Sequence, residues 1–321
     1  MSQQADTITD AEFADLTEPF RRELLAHCYR MLGSVDDAED MVQETYLRAW
    51  RSYGGFEGRS SVRTWLYQIA TNTCLTARQH RSRRALPSGL GGPGEDHESG
   101  SEFGWLQPMP DALVTGEAND PAVIAVTRDS LRLALIASFQ YLPPRQRAVL
   151  LLREVLAFPS QDVARMLGTT TVAVKSALQR ARARLSDVAP ADRQLAEPPE
   201  PAARALLEAY IAAFEHADAA ALERLLRRDA VLELPPSPVW FTGGEAIATA
   251  VAGLGSPGEW RMVPTAANGQ PAAAAYQRGA DGTYQAFGIV VLTAATTGIA
   301  RIVVFGDPGL FGRFGLPPTW R

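Results

Sequence analysis

A chain of 321 residues with 46% hydrophobic content is long enough for two or three buried cores, and a formal charge of -5 argues against uniform coating of a polyanion. No apolar run reaches membrane-spanning length, and the opening MSQQADTITDAEF is polar and acidic, so a cytoplasmic protein with no membrane association is expected. Two cysteines, Cys28 and Cys74, fall on apolar helix stripes and read as buried thiols, leaving no disulfide, metal or cofactor site to expect.

In chain order, residues 16–84 predict three or four helices. Phe20, Leu24, Leu25, Cys28, Met31 and Leu32 form one apolar stripe that Gly33 ends. Ser34 caps the next helix, SVDDAEDMVQETYLRAW, whose early carboxylates suit the positive end of the helix dipole. Asp40, Gln43, Glu44 and Arg48 form its outward polar face beside Val42, Tyr46 and Trp50. Such a face suits either plain solvation or a protein partner. A glycine-rich loop holding Tyr53 and Phe56 follows, then a helix with a core stripe of Val62, Trp65, Leu66, Ile69, Thr73 and Cys74. Its other face carries Arg63, Tyr67, Gln68, Asn72 and Arg78. From Arg59 to Arg84 the only charges are cationic, so aromatic and polar groups lie beside a cationic track, as single-stranded bases require.

Residues 85–128 contain LPSGLGGPGEDHESGSEFG and have the composition of a linker, followed by WLQPMPDAL, in which Trp105 is an expected interaction anchor. A second cationic cluster spans Arg145 to Arg184. Within it, FPSQDVARMLGTTTVAVKSALQRARARL reads as a helix-turn-helix. The first helix covers residues 160–167 and Gly168 makes the turn. Thr169 to Thr171 offer N-cap oxygens to a second helix in which Val172, Val174, Ala177, Leu178 and Ala181 point inward. Thr171, Lys175, Ser176, Arg180, Arg182 and Arg184 are left for DNA, and Arg145 and Arg147 are expected to add phosphate contacts.

After a proline-rich joint at residues 189–201 the pattern changes to two helices and then strand-like runs at AVLEL, WRMVPTAA, AAAAYQR, YQAFGIVVLTA and GIARIVVFG. That order predicts an α+β cone with an antiparallel sheet over residues 202–321. Glu233, Trp240, Arg261, Tyr276, Tyr284 and Phe287 are candidates to line an apolar pocket for a small-molecule ligand. Asp229 and Glu233 are the acids that could work in it, and His216 sits at a helix end.

Residues 16–84 and 129–188 resemble regions 2 and 4 of the extracytoplasmic-function sigma factors of the sigma-70 family. The resemblance rests on DDAEDMVQETYLRAW, RSSVRTWLYQIATNTCLTARQHRSRR and YLPPRQRAVLLLREVLAFPSQDVARMLGTTTVAVKSALQRARARL in that order. The third domain, with DAVLELPPSPVWFTGGEAI, is similar to SnoaL-like, polyketide-cyclase-type domains of the nuclear-transport-factor-2-like class. The implied architecture is multidomain: an all-α region 2 bundle (1–84), a linker (85–128), an all-α region 4 helix-turn-helix (129–188), a second linker (189–201) and the α+β cone.

The resemblance implies that Asp40, Gln43, Glu44 and Arg48 face the clamp helices of the largest RNA polymerase subunit, with the polymerase flap a further contact. It also implies that the loop of Phe56 and Arg59, with Arg63, Asn72 and Arg78 behind it, captures a base of the -10 element, while Thr171 to Arg184 read the -35 element. The expected protein is a non-enzymatic initiation factor whose cone regulates it. A DNA-binding regulator with a ligand-sensing or isomerase-like cone is the alternative.

Overall fold

The computed structural model describes residues 9–56, 58, 60–78, 83–94, 104–115, 128–187, 195–253 and 255–320. The chain opens with α1 (Asp10–Thr17), fixed by a capping box in which Thr9 Oγ1 accepts from Glu12 N–H and Glu12 Oε2 accepts from Thr9 N–H at 2.9 Å. Helix α2 (Arg21–Leu32) stops at Gly33, whose φ of 74° lets its N–H return 2.7 Å to the Tyr29 carbonyl. Ser34 Oγ accepts from Asp37 N–H and starts α3 (Val35–Ser52), and Ser61 caps α4 (Val62–Ala77) in the same way.

The connecting segment holds β1 (Arg84–Ala85), β2 (Gly104–Trp105) and α5 (Asp111–Val114). Helices α6 (Leu133–Gln140) and α7 (Pro144–Leu150) follow, the latter running into a wide π turn at Leu151–Val155. The helix-turn-helix is α8 (Ser160–Met166), Gly168 at φ 59°, and α9 (Thr171–Asp187), capped by Thr170 Oγ1 on Ala173 N–H. Beyond it lie α10 (Glu200–Glu215), α11 (Ala219–Leu225), β3 (Leu226–Glu233), β4 (Trp240–Thr242), α12 (Gly244–Ala252) and β5 (Trp260–Ala267). The chain closes with β6 (Gln270–Arg278), β7 (Tyr284–Ala295), β8 (Gly298–Phe305), a 3-10 turn at Pro308–Phe314 and β9 (Thr319–Trp320).

These elements form two compact bodies. The first gathers the described parts of 1–83, 113–117 and 136–189, and the second those of 84–112, 118–135 and 190–321. In the first body Leu24, Met31, Val42, Leu66 and Cys74 are buried, as are Ile136, Phe139, Leu151, Val163, Val174 and Ala181. Arg147 belongs to this interior. It is fully buried, and its guanidinium donates to the carbonyls of Met31 and Leu142 and, at 2.8 Å, to Gln140 Oε1. The expected phosphate contact is therefore corrected: Arg147 lies three and four residues before Leu150 and Leu151, on the inward stripe of α7. Burial lowers its pKa to about 9, with Arg78 adding repulsion.

The second body is built on a sheet of order β4-β3-β8-β7-β6-β5, with β9 on β7. It is mixed rather than antiparallel throughout, because β3 runs parallel to β8 while the other pairs are antiparallel. Leu207, Tyr210, Ile211 and Leu222 share one core with Leu232, Ile247, Trp260, Met262, Ala273, Ala275, Val290, Leu292 and Ile302. Alternate residues of the strands supply it, as the pleat demands. At Gly288, beside the register shift between Ala275 and Tyr276, a Cβ would stand 2.2 Å from the Phe305 carbonyl oxygen, so this crossing admits only glycine.

Of the segment that composition assigns to a tether, the described parts of 85–112 belong to this second body, whereas residues 113–115 belong to the first. Asn268 and Gly269, at φ 58° and 67°, make the two-residue turn between β5 and β6. The Asn268 side chain is fully buried and bonds on both sides. Its Oδ1 accepts from Met109 N–H at 2.8 Å and its Nδ2 donates to the Leu131 carbonyl at 2.6 Å. Gly269 N–H donates to Asp111 Oδ1 at 2.7 Å, and Leu133 N–H donates to Gln270 Oε1 at 3.0 Å. Burial raises the pKa of Asp111, against the lowering effects of the Gly269 N–H and of Arg128.

Candidate polymerase, promoter and ligand sites

On α3 every fourth or third residue turns outward, which leaves Asp40, Gln43, Leu47 and Arg48 exposed while Val42, Thr45 and Ala49 are buried. Arg48 and Glu44 are one turn apart and pair at 2.6 Å. Leu47 went unnoticed in the sequence. It is 50% exposed, and with Asp10, Phe13, Gln43, Tyr46 and Trp50 it lines a groove of about 510 Å³ between α1 and α3. The signal that would have found α1 is the Thr9-x-x-Glu12 box.

Phe56 is half-buried in an aromatic group, 4.8 Å from Trp65 and 6.1 Å from Tyr53 between ring centres. Arg59 lies outside the described residues. Arg63 faces Glu23, with Nε at 3.0 Å and Nη2 at 2.9 Å from its carboxylate, and lies over the rings of Tyr67 and Phe158 at 4.9 and 5.1 Å. Asn72 Nδ2 donates to the Met166 carbonyl at 3.2 Å, and Arg78 is the half-buried C-cap of α4. The polar face of α4 and helix α8 therefore meet within the first body.

Around α9, Val174, Ala181 and Leu185 are the buried residues. Thr171, Lys175, Arg180, Arg182 and Arg184 are exposed and Ser176 is partly so. Arg180 donates to Ser176 Oγ at 2.6 Å, and Arg182 pairs with Glu154. Val172 is 75% exposed, which corrects its expected inward position: residues two apart lie about 200° apart around a helix, so Val172 and Val174 cannot both face the core. Arg145 is exposed as expected.

In the cone, the six candidate pocket residues fall into separate groups. Glu233 is fully buried, and its Oε1 accepts from Arg301 at 2.9 Å and from Ser88 N–H at 3.2 Å. Trp240, its register partner, donates from Nε1 to the Gly91 carbonyl at 3.0 Å and accepts from Gly94 N–H. These two hold the connecting segment. Arg261 and Tyr276 gather around Trp320, and Tyr276 donates to the Pro317 carbonyl at 3.0 Å. Tyr284 donates to the Gly258 carbonyl, and Phe287 stands edge-on to Trp260 at 5.0 Å. A cavity of about 10 Å³, room for one water, is lined by Phe214, Asp218, Leu222, Val251 and Trp260 among others and by none of the six. Asp229 is exposed and bonded to Arg227, which lowers its pKa, and His216 is exposed at the end of α10.

No described helix is long and apolar enough to cross a membrane. Residues 16–84 match the Sigma-70 region 2 family, 132–185 the Sigma-70 region 4 family and 207–302 the SnoaL-like domain family. The chain is 52% identical over 318 residues to the ECF RNA polymerase sigma factor SigG of Mycobacterium tuberculosis, covering 96% of this chain and 85% of that one. To the ECF RNA polymerase sigma factor SigJ of the same organism it is 30% identical over 228 residues, 70% of this chain and 63% of the relative. The crystal structure of that SigJ shares the fold, with a TM-score of 0.63 over 95% of this chain and all of that one at 23% identity. With both sigma regions and the appended cone aligned in one relative, this chain belongs to the extracytoplasmic-function RNA polymerase sigma factors, as a member with a SnoaL-like domain after region 4.

Proposed function

We propose that the protein binds core RNA polymerase through the outward face of α3, reads the -35 element with α9, and stabilises the opened -10 element with Phe56 and the cationic side of α4. The observation that carries this reading is the alignment of both sigma regions with a sigma factor along nearly the whole chain. The exposed Asp40, Gln43 and Arg48 and the exposed cations of α9 support the division of labour. Melting needs no catalytic group: a base costs a few kcal/mol to unstack, and an aromatic that traps it holds the strands apart.

In the first body the amide of Asn72 and the ring of Phe158 are engaged between α4 and the region 4 helices. Promoter engagement requires these helices to part. We assign the cone a regulatory rather than catalytic role, because its best-placed acid, Glu233, is bonded to Arg301 and to the connecting segment. Regulation would act through that segment, which joins regions 2 and 4 and which the Asn268 turn grips. A small-molecule ligand that displaced Ser88 or Gly91 would act at the same place.

Copurification with core polymerase tests the assignment to α3. The pair Gln43→Ala with Arg48→Ala should weaken retention about tenfold, and undiminished retention would remove that face from the interface. Deleting residues 202–321 should change promoter-dependent transcription, and unaltered transcription would rule out a regulatory cone.

A further inference from the structure

The exposed face of α9 is not uniformly cationic. At about 100° per residue, Val172, Ser176, Gln179 and Ala183 lie within about 40° of the direction opposite the buried Val174, Ala181 and Leu185. Lys175 and Arg182 fall on one flank of that strip, Arg180 and Arg184 on the other. A helix of this design seats its cations against the phosphates on either wall of a groove and points its small central side chains at base edges. Val172 stands at the N-terminal end of the strip, the part of a recognition helix that reaches deepest into the major groove. Its side chain, 75% exposed, is an apolar β-branched group on a polar helix, and it contributes nothing to the core.

We infer that Val172 is a specificity determinant of upstream promoter recognition that packs its methyl groups against the C5-methyl of a thymine. Thymine alone among the unmodified bases presents an apolar group on the major-groove edge, and the flanking cations match duplex DNA in charge. This inference rests on the assignment of α9 to upstream DNA and adds the chemistry of one position to it.

The test uses the full chain bound to purified core polymerase. The complex first selects its upstream element from a randomised duplex pool, and each thymine of the selected element is then replaced by uracil, which removes only the methyl. One such replacement should weaken wild-type binding about fourfold, the worth of one buried methyl. Val172→Ala should bind the thymine duplex about fourfold more weakly and lose the thymine-uracil difference at that position, while Val172→Ile retains it. Equal weakening of Val172→Ala on both duplexes, or no weakening, overturns the inference. Lys175→Ala and Arg182→Ala separate this failure from a failure of the helix assignment: if they too leave binding unchanged, α9 does not read the duplex and both readings fall. An exposed position should leave the melting temperature of Val172→Ala unchanged, so loss of fold does not cloud the result.

Discussion

At Asn268, the turn chemistry of a hairpin and the attachment of the connecting segment meet in one side chain. Asparagine tolerates the left-handed backbone of the turn, and its buried amide satisfies Met109 of the connecting segment and Leu131 just beyond that segment's end. Asn268→Ala would leave those groups unsatisfied at about 1–3 kcal/mol each, so hydrogen exchange at Met109 N–H should accelerate by about 10- to 100-fold. Unchanged protection would show that the grip lies elsewhere. The asparagine-glycine turn was legible in the sequence, but its second role was not, because local composition carries no record of partners 137 and 159 positions away.

His27 makes a pH prediction at the same scale. It is fully buried and bonded at 2.9 Å to Thr71 Oγ1, and burial, with Arg30 nearby, lowers its pKa from 6.5 to about 3. The unfolded chain takes up this proton below about pH 6.5 and the folded chain does not, so stability falls as pH drops from there towards 3. By pH 4.5 the loss from this group is about 2–3 kcal/mol at about 1.4 kcal/mol per pH unit. Denaturant titrations at pH 7 and 4.5 should show that much less acid sensitivity in His27→Gln. Equal sensitivity would place the proton uptake elsewhere. Arg147→Ala should cost about 3 kcal/mol of stability by stripping its buried partners.

Among the elements, α9 divides its cations by neighbourhood. Lys175→Ala and Arg182→Ala should each weaken upstream binding for every sequence alike and reduce the salt slope by about one. A change in sequence preference instead would make either a base reader. This helix-turn-helix was readable because Gly168 and the recurrence of Val174, Ala177, Leu178 and Ala181 are local signals, although Val172, read with them, faces outward. The long strands were equally plain, and WRMVPTAA is β5 as observed. The three-residue β4, the two-residue β9 and the parallel pairing of β3 with β8 were not, since short edges and strand direction depend on neighbours distant in sequence. The scattering of the six pocket candidates has the same origin: period two gives the side of a sheet but not which strands lie together.

For the whole molecule, the division into bodies differs from the division into homologous segments. Region 2 up to residue 83 and region 4 from residue 136 share one body, and the described parts of 85–112 in the segment between the regions fold with the cone. A glycine- and proline-rich composition indicates a chain without regular structure, and such a chain can still be pinned by buried side-chain hydrogen bonds. Phe56→Ala should leave promoter binding within about twofold of wild type while lowering open-complex yield, detected by permanganate reactivity of unpaired thymines. Lost binding with normal opening would exchange the assigned roles.

The most direct measurement is run-off transcription with purified core RNA polymerase on promoter-containing templates, with and without the full chain. The sigma-factor account predicts discrete start sites that appear only when the chain is added and that shift when the upstream element is moved. Identical transcripts from the polymerase alone would contradict it.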